Sequence, residues 1–337
     1  MNWHSLAEHV LNGHELTHQE CIDFLQADSK ETLSQIDAAY MIRHHYYGND
    51  VKLNMLINTK SGLCPENCRY CSQSSESSAP IEKYKMMTKE EIVKGAQRAA
   101  KLGAGTFCIV ASGRGPSRHE LAIVKEAARE IKETLPLKLC GCLGILADNQ
   151  AEELKEAGID RYNHNINTSA EFHENIVSSH TFDDRVGTVE KVKQAGISPC
   201  SGIIIGMGES TENIISMLHT LRSLNADSIP INFLHAIEGT AFENKTPMTP
   251  IWCLRIVALA RFILPTKEIR IAGGRELNLR SLQPMALYAA NSIFLGDYLT
   301  TSGQESEKDL KMIEDLGFTV EKDAFARSAE DLQELHN

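Results

Sequence analysis

The sequence predicts an α/β fold, a (β/α)8 barrel of the TIM type with an N-terminal helical extension. Short β-rich runs recur about every 30 residues from residue 51 onward, and each is followed by a helix-forming stretch. No linker, sequence repeat or low-complexity tract interrupts this alternation. A six-unit open barrel and a doubly wound sheet remain alternatives. The predicted strands lie near residues 51–58, 105–111, 137–142, 160–166, 198–205, 228–234, 268–273 and 291–295.

The first 48 residues predict helices that precede the barrel. The clearest of them is expected to begin after an N-cap at Asp28, with Glu31 three residues on, and to end at Gly48. We therefore expect an N-terminal helical extension over residues 1–48, one barrel domain over residues 49–318 and a C-terminal tail over residues 319–337. Apolar residues at helical spacing in that clearest stretch are Leu33, Ile36, Ala39 and Tyr40.

The segments between the predicted strands carry helix start and stop signals. Thr88 and Glu91 form a capping box, and Thr249 precedes a proline suited to the first helical position. Asp148 precedes the helix-forming run of residues 150–154. Gly158 and Gly196 are expected to stop helices just before strands.

Composition and charge limit the classes of function. Hydrophobic residues make up 42% of the 337-residue chain and charged residues 23%, as in an ordinary globular protein. The net charge of −11 argues against general attraction to nucleic acid or an anionic membrane. No stretch of 18 apolar residues and no signal-like start is present, so we expect a cytoplasmic location. Nine cysteines without a signal peptide indicate thiolate chemistry in a reducing compartment.

Three closely spaced cysteines follow the first predicted strand directly. Cys64, Cys68 and Cys71 would give three thiolates to one iron-sulfur cluster, and a cubane with three protein ligands keeps one iron open. An open iron can bind and cleave a small molecule, so this spacing favours catalysis over electron carriage. A zinc site is the alternative, although no fourth Cys or His follows locally. In a barrel, the loop after a strand is where catalytic groups stand.

Three further cysteines lie on separate predicted strands. Each of Cys108, Cys140 and Cys200 could simply pack in the core, because free cysteine is among the most buried residue types. If all three point into the barrel, they could converge on a second cluster. Cys142 has the same strand parity as Cys140, so alternation cannot choose between them. Arg270 lies in an apolar strand pattern, and pointing inward it would need an anionic partner; it could also point outward.

Amide side chains stand on or after two predicted strands. Asn163, Asn165 and Asn167 alternate at the end of the fourth strand, and Asn232 lies inside an otherwise apolar strand. Such groups can bind a neutral polar ligand without adding charge. The glycine-rich segment 202–208 does not fit a dinucleotide fingerprint, and we interpret it as a close approach of the backbone to a ligand. Cys21 and Cys253 fall in helical segments and are interpreted as packing residues.

Tyr70, an aromatic residue directly before Cys71, makes the triplet resemble the signature of radical S-adenosylmethionine (SAM) enzymes. Several further motifs occur in the order found in one family of those enzymes. From about residue 40 to residue 318 the chain resembles the biotin synthase family. The motifs that carry the resemblance are Cys64-x3-Cys68-x2-Cys71, Tyr162-Asn163-His164-Asn165, Cys200-Ser201-Gly202, Pro230-Ile231-Asn232 and Arg270.

The resemblance implies two clusters. Cys64, Cys68 and Cys71 would hold a 4Fe-4S cluster whose open iron chelates the amino and carboxylate groups of SAM. A 2Fe-2S cluster deeper in the barrel would be held by Cys108, Cys140, Cys200 and Arg270. It is the resemblance that selects Cys140 over Cys142.

The resemblance also implies contacts to the small molecules. Asn167 occupies a place where some family members have Asp, which is expected to bind the SAM ribose. The residues expected around SAM are Tyr70, Ala111, Asn165, Asn167, Arg185 and Ile204, and those around dethiobiotin are Lys60, Asn163, Asn165, Asn232, Thr300 and Thr301.

The implied reaction is reductive cleavage of SAM to a 5'-deoxyadenosyl radical, hydrogen abstraction from two carbons of dethiobiotin, and insertion of one sulfur atom from the 2Fe-2S cluster. The implied partners are an electron donor such as flavodoxin, iron-sulfur assembly proteins and a second copy of the chain in a homodimer. Three rival interpretations are another radical SAM enzyme of similar barrel type, an electron-transfer iron-sulfur protein and a zinc-stabilised structural or binding protein.

Overall fold

The N-terminal extension packs against the outside of the barrel. The structure, a computed structural model, describes residues 1–321, so residues 322–337 of the expected tail lie outside it. Phe24 of the second helix lies 5.1 Å from the ring of Phe262, and both belong to one large apolar core shared with the barrel. The helices of the extension are α1 (Trp3–Leu11), α2 (His18–Gln26) and α3 (Thr32–Tyr47).

The start of α3 differs in detail from the prediction. The Asp28 carboxylate accepts a hydrogen bond from the Lys30 amide and begins a short 3-10 turn, so the α-helix itself begins at Thr32. Leu33 does not join the buried face; it is 67% exposed, whereas Ile36 and Ala39 are buried. Gly48 ends the helix with a positive φ of 53°, as predicted.

The predicted eight-stranded barrel is confirmed. Neighbouring strands pair in parallel around the ring, and pairing of the last barrel strand with the first closes it, which excludes an open barrel and a doubly wound sheet. The strands are β1 (Asp50–Lys60), β2 (Thr106–Ala111), β3 (Lys138–Cys142), β4 (Arg161–Asn163), β5 (Ser198–Cys200), β6 (Ile203–Ile205), β7 (Ser228–Phe233), β8 (Glu268–Ile271), β9 (Ser292–Phe294) and β10 (Thr319–Val320).

The fifth predicted strand is interrupted. Residues 198–205 form β5 and β6, which both pair with β7 and together occupy one position in the ring. At the break, a Cβ on Gly202 would lie 2.0 Å from the carbonyl oxygen of Pro230. Contact with the neighbouring strand by itself requires glycine at position 202, so this residue is not evidence for the predicted approach to a ligand, which stays a prediction for the segment. Outside the ring, β10 adds to the edge of β1, with Asp50 opposite Thr319.

Helices cover the outside of the barrel and mostly begin where predicted. Both the capping box of Thr88 with Glu91 and the Thr249 cap are present. Asp148 is not a cap; the N-cap position belongs to Asn149, and Asp148 pairs with Lys191 instead. The helices are α4 (Lys89–Lys101), α5 (Arg118–Thr134), α6 (Gln150–Glu156), α7 (Phe182–Gln194), α8 (Thr211–Ser223), α9 (Pro250–Ile263), α10 (Arg275–Leu279), α11 (Gln283–Ala286) and α12 (Ser306–Asp315).

The helix stops are also confirmed, because Gly158 and Gly196 have φ values of 95° and 71° just after α6 and α7. Within residues 1–321, no helix combines the length and the apolar character needed to cross a membrane.

Candidate active site

A cavity of about 400 Å³ opens at the carboxyl ends of the barrel strands. This is the end of a parallel barrel where working groups stand. Cys68, Cys140, Cys200 and Lys60 do not line the cavity. The sequence-predicted site residues that do line it are Cys64, Tyr70, Cys71, Cys108, Ala111, Asn163, Asn165, Asn167, Arg185, Ile204, Asn232, Arg270, Thr300 and Thr301.

The loop after β1 brings the cysteine triplet to the mouth of this cavity. Cys64 and Cys71 line it, while Cys68 is buried and does not. Glu66 anchors the loop: its carboxylate accepts hydrogen bonds from Ser179 at 2.5 Å and Arg114 at 3.1 Å. The loop is thereby fixed to the segment before α7, which gives three neighbouring thiols a defined position.

Burial sets the protonation of the three thiols. It raises the pKa of Cys64 and Cys68, and it raises that of Cys71 to about 12, so they are neutral thiols in the protein alone near neutral pH. A cluster would bind them as thiolates, because its positively charged iron stabilises the negative charge that burial alone disfavours. Three sulfur donors on one short loop, facing a cavity, suit a cluster that keeps one iron open.

Arg185 supplies positive charge beside the triplet. It is buried on α7, donates from Nη1 to the Asn165 carbonyl at 2.9 Å, and places Nη2 4.0 Å from Cys68 Sγ. Its Nε is buried without a hydrogen-bond partner among the described residues. A buried guanidinium with a free donor suits an anionic group such as a carboxylate.

Deeper in the barrel, Cys108, Cys140 and Cys200 converge from three strands. Cys108 on β2 lies directly opposite Cys140 on β3, and all three side chains are buried. Interaction with the Cys108 thiol, together with burial, raises the pKa of Cys140 well above its ordinary value. The Cys140 thiol and burial do the same for Cys200. The three thiols are therefore close enough to influence one another, as ligands of one cluster must be.

Arg270 points into the barrel and is 1% exposed. Its closest acidic partner is Glu268, whose Oε1 lies 2.6 Å from Arg270 Nη2. Despite burial, Glu268 and then Cys200, Cys108 and Cys140 raise the pKa of Arg270, so all three strand thiols lie within its electrostatic reach. The outward alternative for Arg270 is excluded.

Cys142 packs against the apolar cluster that contains Cys108 and Cys140. It lies two residues beyond Cys140 on β3, about 7 Å nearer the carboxyl end at about 3.3 Å per residue. Its Sγ donates to Asn163 Oδ1 at 3.4 Å, and burial, with a smaller effect of Cys200, raises its pKa to about 12. Cys142 thus lines the cavity nearer the carboxyl end of β3 than Cys140, which does not line it.

The amides line the cavity, and the protein already uses part of their hydrogen-bonding capacity. Asn163 Nδ2 donates to Asn165 Oδ1 at 3.1 Å and to Cys200 Sγ at 3.2 Å. Asn232 bridges strands, donating to the Ile203 carbonyl and accepting from the Gly273 amide, both at 3.1 Å. These bonds fix the direction of each amide group toward the cavity.

Asn167 has the left-handed backbone conformation that Asn tolerates, with φ of 65°. Its Nδ2 donates to the Tyr70 hydroxyl at 2.6 Å. This hydrogen bond ties the loop after β4 to the cysteine loop; an Asp at this position could only accept a hydrogen bond from the Tyr70 hydroxyl.

The remaining predicted residues are more peripheral. Lys60 pairs with Glu120, with Nζ 2.7 Å from Oε1. Thr300 shares a 2.7 Å hydrogen bond with Ser72 and, with Thr301, forms one rim of the cavity.

Sequence reasoning missed some lining residues. His164 lies inside the polar motif of β4 and lines the cavity, with Nε2 buried and unpartnered among the described residues. Phe294 and Tyr298 line it from β9 and the following loop. Of these, only His164 carried a sequence signal, because it stands between two predicted site amides. Across residues 1–321, no three His, Cys, Asp or Glu side chains form a site for a single metal ion.

Family models and curated relatives match most of the chain. The Radical SAM superfamily model matches residues 59–221, and the Biotin and Thiamin Synthesis associated domain model matches residues 230–319. Biotin synthase from Geobacillus kaustophilus (strain HTA426) is 61% identical over 320 residues, covering 95% of this chain and 96% of that protein. Biotin synthase from Bacillus subtilis (strain 168) is 58% identical over 319 residues, covering 95% of each chain.

Solved structures are similar in fold. Methylornithine synthase superimposes with a TM-score of 0.82 at 21% identity, covering 94% of this chain and 97% of that one. The FeFe-hydrogenase maturase HydG from Carboxydothermus hydrogenoformans gives a TM-score of 0.79 at 18% identity, covering 94% and 78%. At these identities the likeness concerns the barrel alone.

Proposed function

Because the chain belongs to the biotin synthase family of radical SAM enzymes, we propose that its two groups of thiols hold two different iron-sulfur clusters around one cavity. The family converts dethiobiotin to biotin by inserting sulfur, and its radical SAM domain works with a 4Fe-4S cluster and SAM. The observation that carries the proposal is the separation of the cysteines into a loop triplet at the cavity mouth and a buried triplet from three strands.

The 4Fe-4S cluster is assigned to Cys64, Cys68 and Cys71. When bound, such a cluster would supply the electron for reductive cleavage of SAM and one open iron for the SAM amino and carboxylate groups. Arg185 binds the SAM carboxylate through its free Nε, an assignment supported by its burial beside Cys68. The other residues assigned to SAM, all of which line the same cavity, are Tyr70, Ala111, Asn165, Asn167 and Ile204.

The 2Fe-2S cluster is assigned to Cys108, Cys140, Cys200 and Arg270, as the sulfur source. Burial of all four side chains supports the assignment, as does the mutual influence of the three thiols and Arg270. These residues would hold the cluster inside the barrel, where their side chains are shielded from solvent. Cys142 is assigned no ligand role.

Dethiobiotin is placed between the two clusters. Asn163, Asn165 and Asn232 would orient its ureido ring through directed amide groups, and Thr300 and Thr301 would bind its carboxylate at the rim. Lys60 is assigned to the same substrate, although releasing it from Glu120 would first require breaking an ion pair. The enclosing strands keep water from a reactive intermediate in the cavity.

The partners, location and domain division expected from the sequence are also proposed. We propose a homodimer in the cytoplasm, an electron donor such as flavodoxin, and iron-sulfur assembly proteins as partners. Free cysteines throughout the described residues suit a reducing compartment. We also propose the division into a helical extension of residues 1–48, a barrel of residues 49–318 and a tail of residues 319–337.

An anaerobic reaction tests the proposed function. Protein reconstituted with iron and sulfide should show both 4Fe-4S and 2Fe-2S signals by Mössbauer spectroscopy. With SAM, a reductant and dethiobiotin, mass spectrometry should then detect biotin together with 5'-deoxyadenosine. A dethiobiotin analogue that lacks the ureido carbonyl should yield no sulfur-containing product, because it leaves buried amides unpaired.

Two results would contradict the proposal. Zinc in place of iron, or a single cluster type after full reconstitution, would remove the two-cluster assignment. Abundant 5'-deoxyadenosine without a sulfur-containing product, in protein that holds both clusters, would indicate a different radical SAM reaction.

A further inference from the structure

A buried charge network lies beneath the deep cysteines, and the proposed chemistry assigns it no role. At its centre is Glu268, the first residue of β8, which is 3% exposed. Its Oε2 lies 2.7 Å from Arg161 Nη1 and its Oε1 lies 2.6 Å from Arg270 Nη2. The hydroxyls of Ser228 and Ser292 each donate to the same Oε1 at 3.0 Å. The carboxylate is thus fully committed to partners inside the barrel.

These partners hold the Arg270 guanidinium on several sides. Its Nη2 donates to Ser228 at 2.9 Å as well as to Glu268, and its Nε donates to Ser292 at 3.2 Å. The guanidinium carbon lies 4.9 Å from the centre of the Phe294 ring. Among the described residues, Nη1 has no hydrogen-bond partner. Arg270 nevertheless lines the cavity and lies within electrostatic range of all three deep thiols.

We propose that Glu268 is a positioning residue that fixes Arg270 so that its free Nη1 edge faces the deep thiols and the cluster they hold. This inference rests on the proposed assignment of the 2Fe-2S cluster. Glu268 itself would not touch the cluster; Ser228 and Ser292 would link the carboxylate to the guanidinium as additional acceptors and donors.

The reason lies in the hydrogen-bonding demand of a buried guanidinium. Arginine carries five N–H donors in a rigid fork, and buried donors turn toward whatever acceptors are available. With Glu268 and the two serines occupying Nε and Nη2, only one edge is left for the thiols. Without the carboxylate, the guanidinium is free to turn toward other acceptors. Arg161, with Lys52 3.9 Å from Oε2, balances the charge of Glu268 from the opposite side.

Glu268→Gln and the matched control Arg161→Gln test this inference in the full-length protein. Each variant removes one member of the same buried network. Of the two residues changed, Glu268 contacts Arg270 and Arg161 does not. After anaerobic reconstitution, we expect Glu268→Gln to keep its 4Fe-4S signal. Its 2Fe-2S Mössbauer and absorption spectra should change, and the loss of that cluster to a chelator should be faster by about tenfold. Arg161→Gln should keep the wild-type 2Fe-2S spectrum and rate of loss.

Unchanged 2Fe-2S spectra and loss rate in Glu268→Gln would overturn the inference, as would equal changes in the two variants. If Glu268→Gln does not fold, Glu268→Asp decides, because it keeps the negative charge but shortens the side chain that contacts Arg270 Nη2. A wild-type 2Fe-2S cluster in Glu268→Asp would count against the inference, and a labile one would support it. Wild-type protein that never holds a 2Fe-2S cluster would instead overturn the proposed function.

Discussion

At the scale of single residues, two positions along one strand separate a ligand candidate from its neighbour. Cys140 and Cys142 both point inward from β3, but only Cys140 interacts with both Cys108 and Cys200. Cys142 also interacts with Cys200, but its other partners, Arg185 and Asn163, line the cavity. The geometry therefore favours the same cysteine as the family resemblance, for an independent reason.

Serine substitution separates the roles of these two cysteines. Cys140→Ser should lose the 2Fe-2S absorbance and biotin formation, because one of the deep sulfur donors is removed. Cys142→Ser should retain both, since its hydroxyl can still donate to Asn163. Anaerobic absorption spectra and product analysis of the two variants measure this directly. The reverse pattern would mean that the ligand lies one layer nearer the mouth.

The lowered pKa of buried His173 predicts that the stability of the cluster-free protein depends on pH. Burial, partly opposed by a hydrogen bond to the His180 carbonyl, lowers the pKa of His173 below its ordinary 6.5. A group whose pKa is lower in the folded state binds more protons when unfolded, so its contribution is present above pH 6.5 and is lost on acidification. The free energy of unfolding should therefore decrease as the pH falls below about 6.5.

His173→Gln tests this contribution, because its amide can replace the donor to the His180 carbonyl without titrating. Denaturant unfolding between pH 7.5 and 5.5 should show a shallower decrease than in the wild type, while the exposed control His45→Gln should show the wild-type slope. An identical slope in all three proteins would rule out a contribution from His173.

At the scale of elements, an ion pair fixes α12 beside the cavity rim. Arg275 of α10 and Asp309 of α12 are both buried, with Arg275 Nη2 2.7 Å from Asp309 Oδ2. Arg275 also donates from Nε to the Tyr298 hydroxyl at 3.1 Å, and Tyr298 precedes the rim threonines. The pair therefore connects the C-terminal helix to the segment that carries Thr300 and Thr301.

Asp309→Ala should destabilise the fold strongly, because it removes the buried carboxylate closest to the Arg275 guanidinium and leaves only the longer 3.4 Å contact to Glu276. We expect a loss of about 3–5 kcal/mol in the free energy of unfolding. Lys311→Ala on the same helix removes only exposed ion pairs and should leave stability nearly unchanged. Denaturant unfolding of both variants provides the comparison. Equal stability of Asp309→Ala and wild type would show that the pair does not hold the helix.

At the scale of the whole molecule, the barrel keeps two sets of thiols at different depths along its axis. The loop after β1 places one set at the mouth, and strands β2, β3 and β5 place the other inside. A closed ring makes this possible because its strands face one another across the same interior. Under the proposed assignment, this separation would let SAM cleavage and sulfur donation occur on opposite sides of one substrate.

Variants from the two levels should therefore fail differently. Cys68→Ala should abolish SAM cleavage, since the mouth cluster loses one of its three protein ligands. Cys200→Ala should lose the 2Fe-2S signal while keeping the 4Fe-4S signal. Mössbauer spectra and 5'-deoxyadenosine production of the reconstituted variants distinguish the two. Loss of the same cluster in both would show that the cysteines form a single site.

The barrel, the helical extension and the cysteine triplet could be predicted from sequence because their signals are local. Strand and helix periods repeat within a few residues, and the three loop cysteines are neighbours in the chain. The same local signals misplaced the cap at Asp148 and included the exposed Leu33 in a buried face. Both errors lie where tertiary contacts, and not propensity, decide the outcome.

By itself the sequence determined the order of strands and helices and the ligand types available, since these depend on residues close together in the chain. Only the tertiary structure decided that Cys108, Cys140, Cys200 and Arg270 meet, because closure of the ring brings together residues from four separate strands. It also showed that the closest acidic partner of Arg270 is Glu268, two residues earlier on the same strand face. Strand parity can place a side chain inside a barrel, but the depth at which side chains from different strands meet depends on the stagger of the closed sheet.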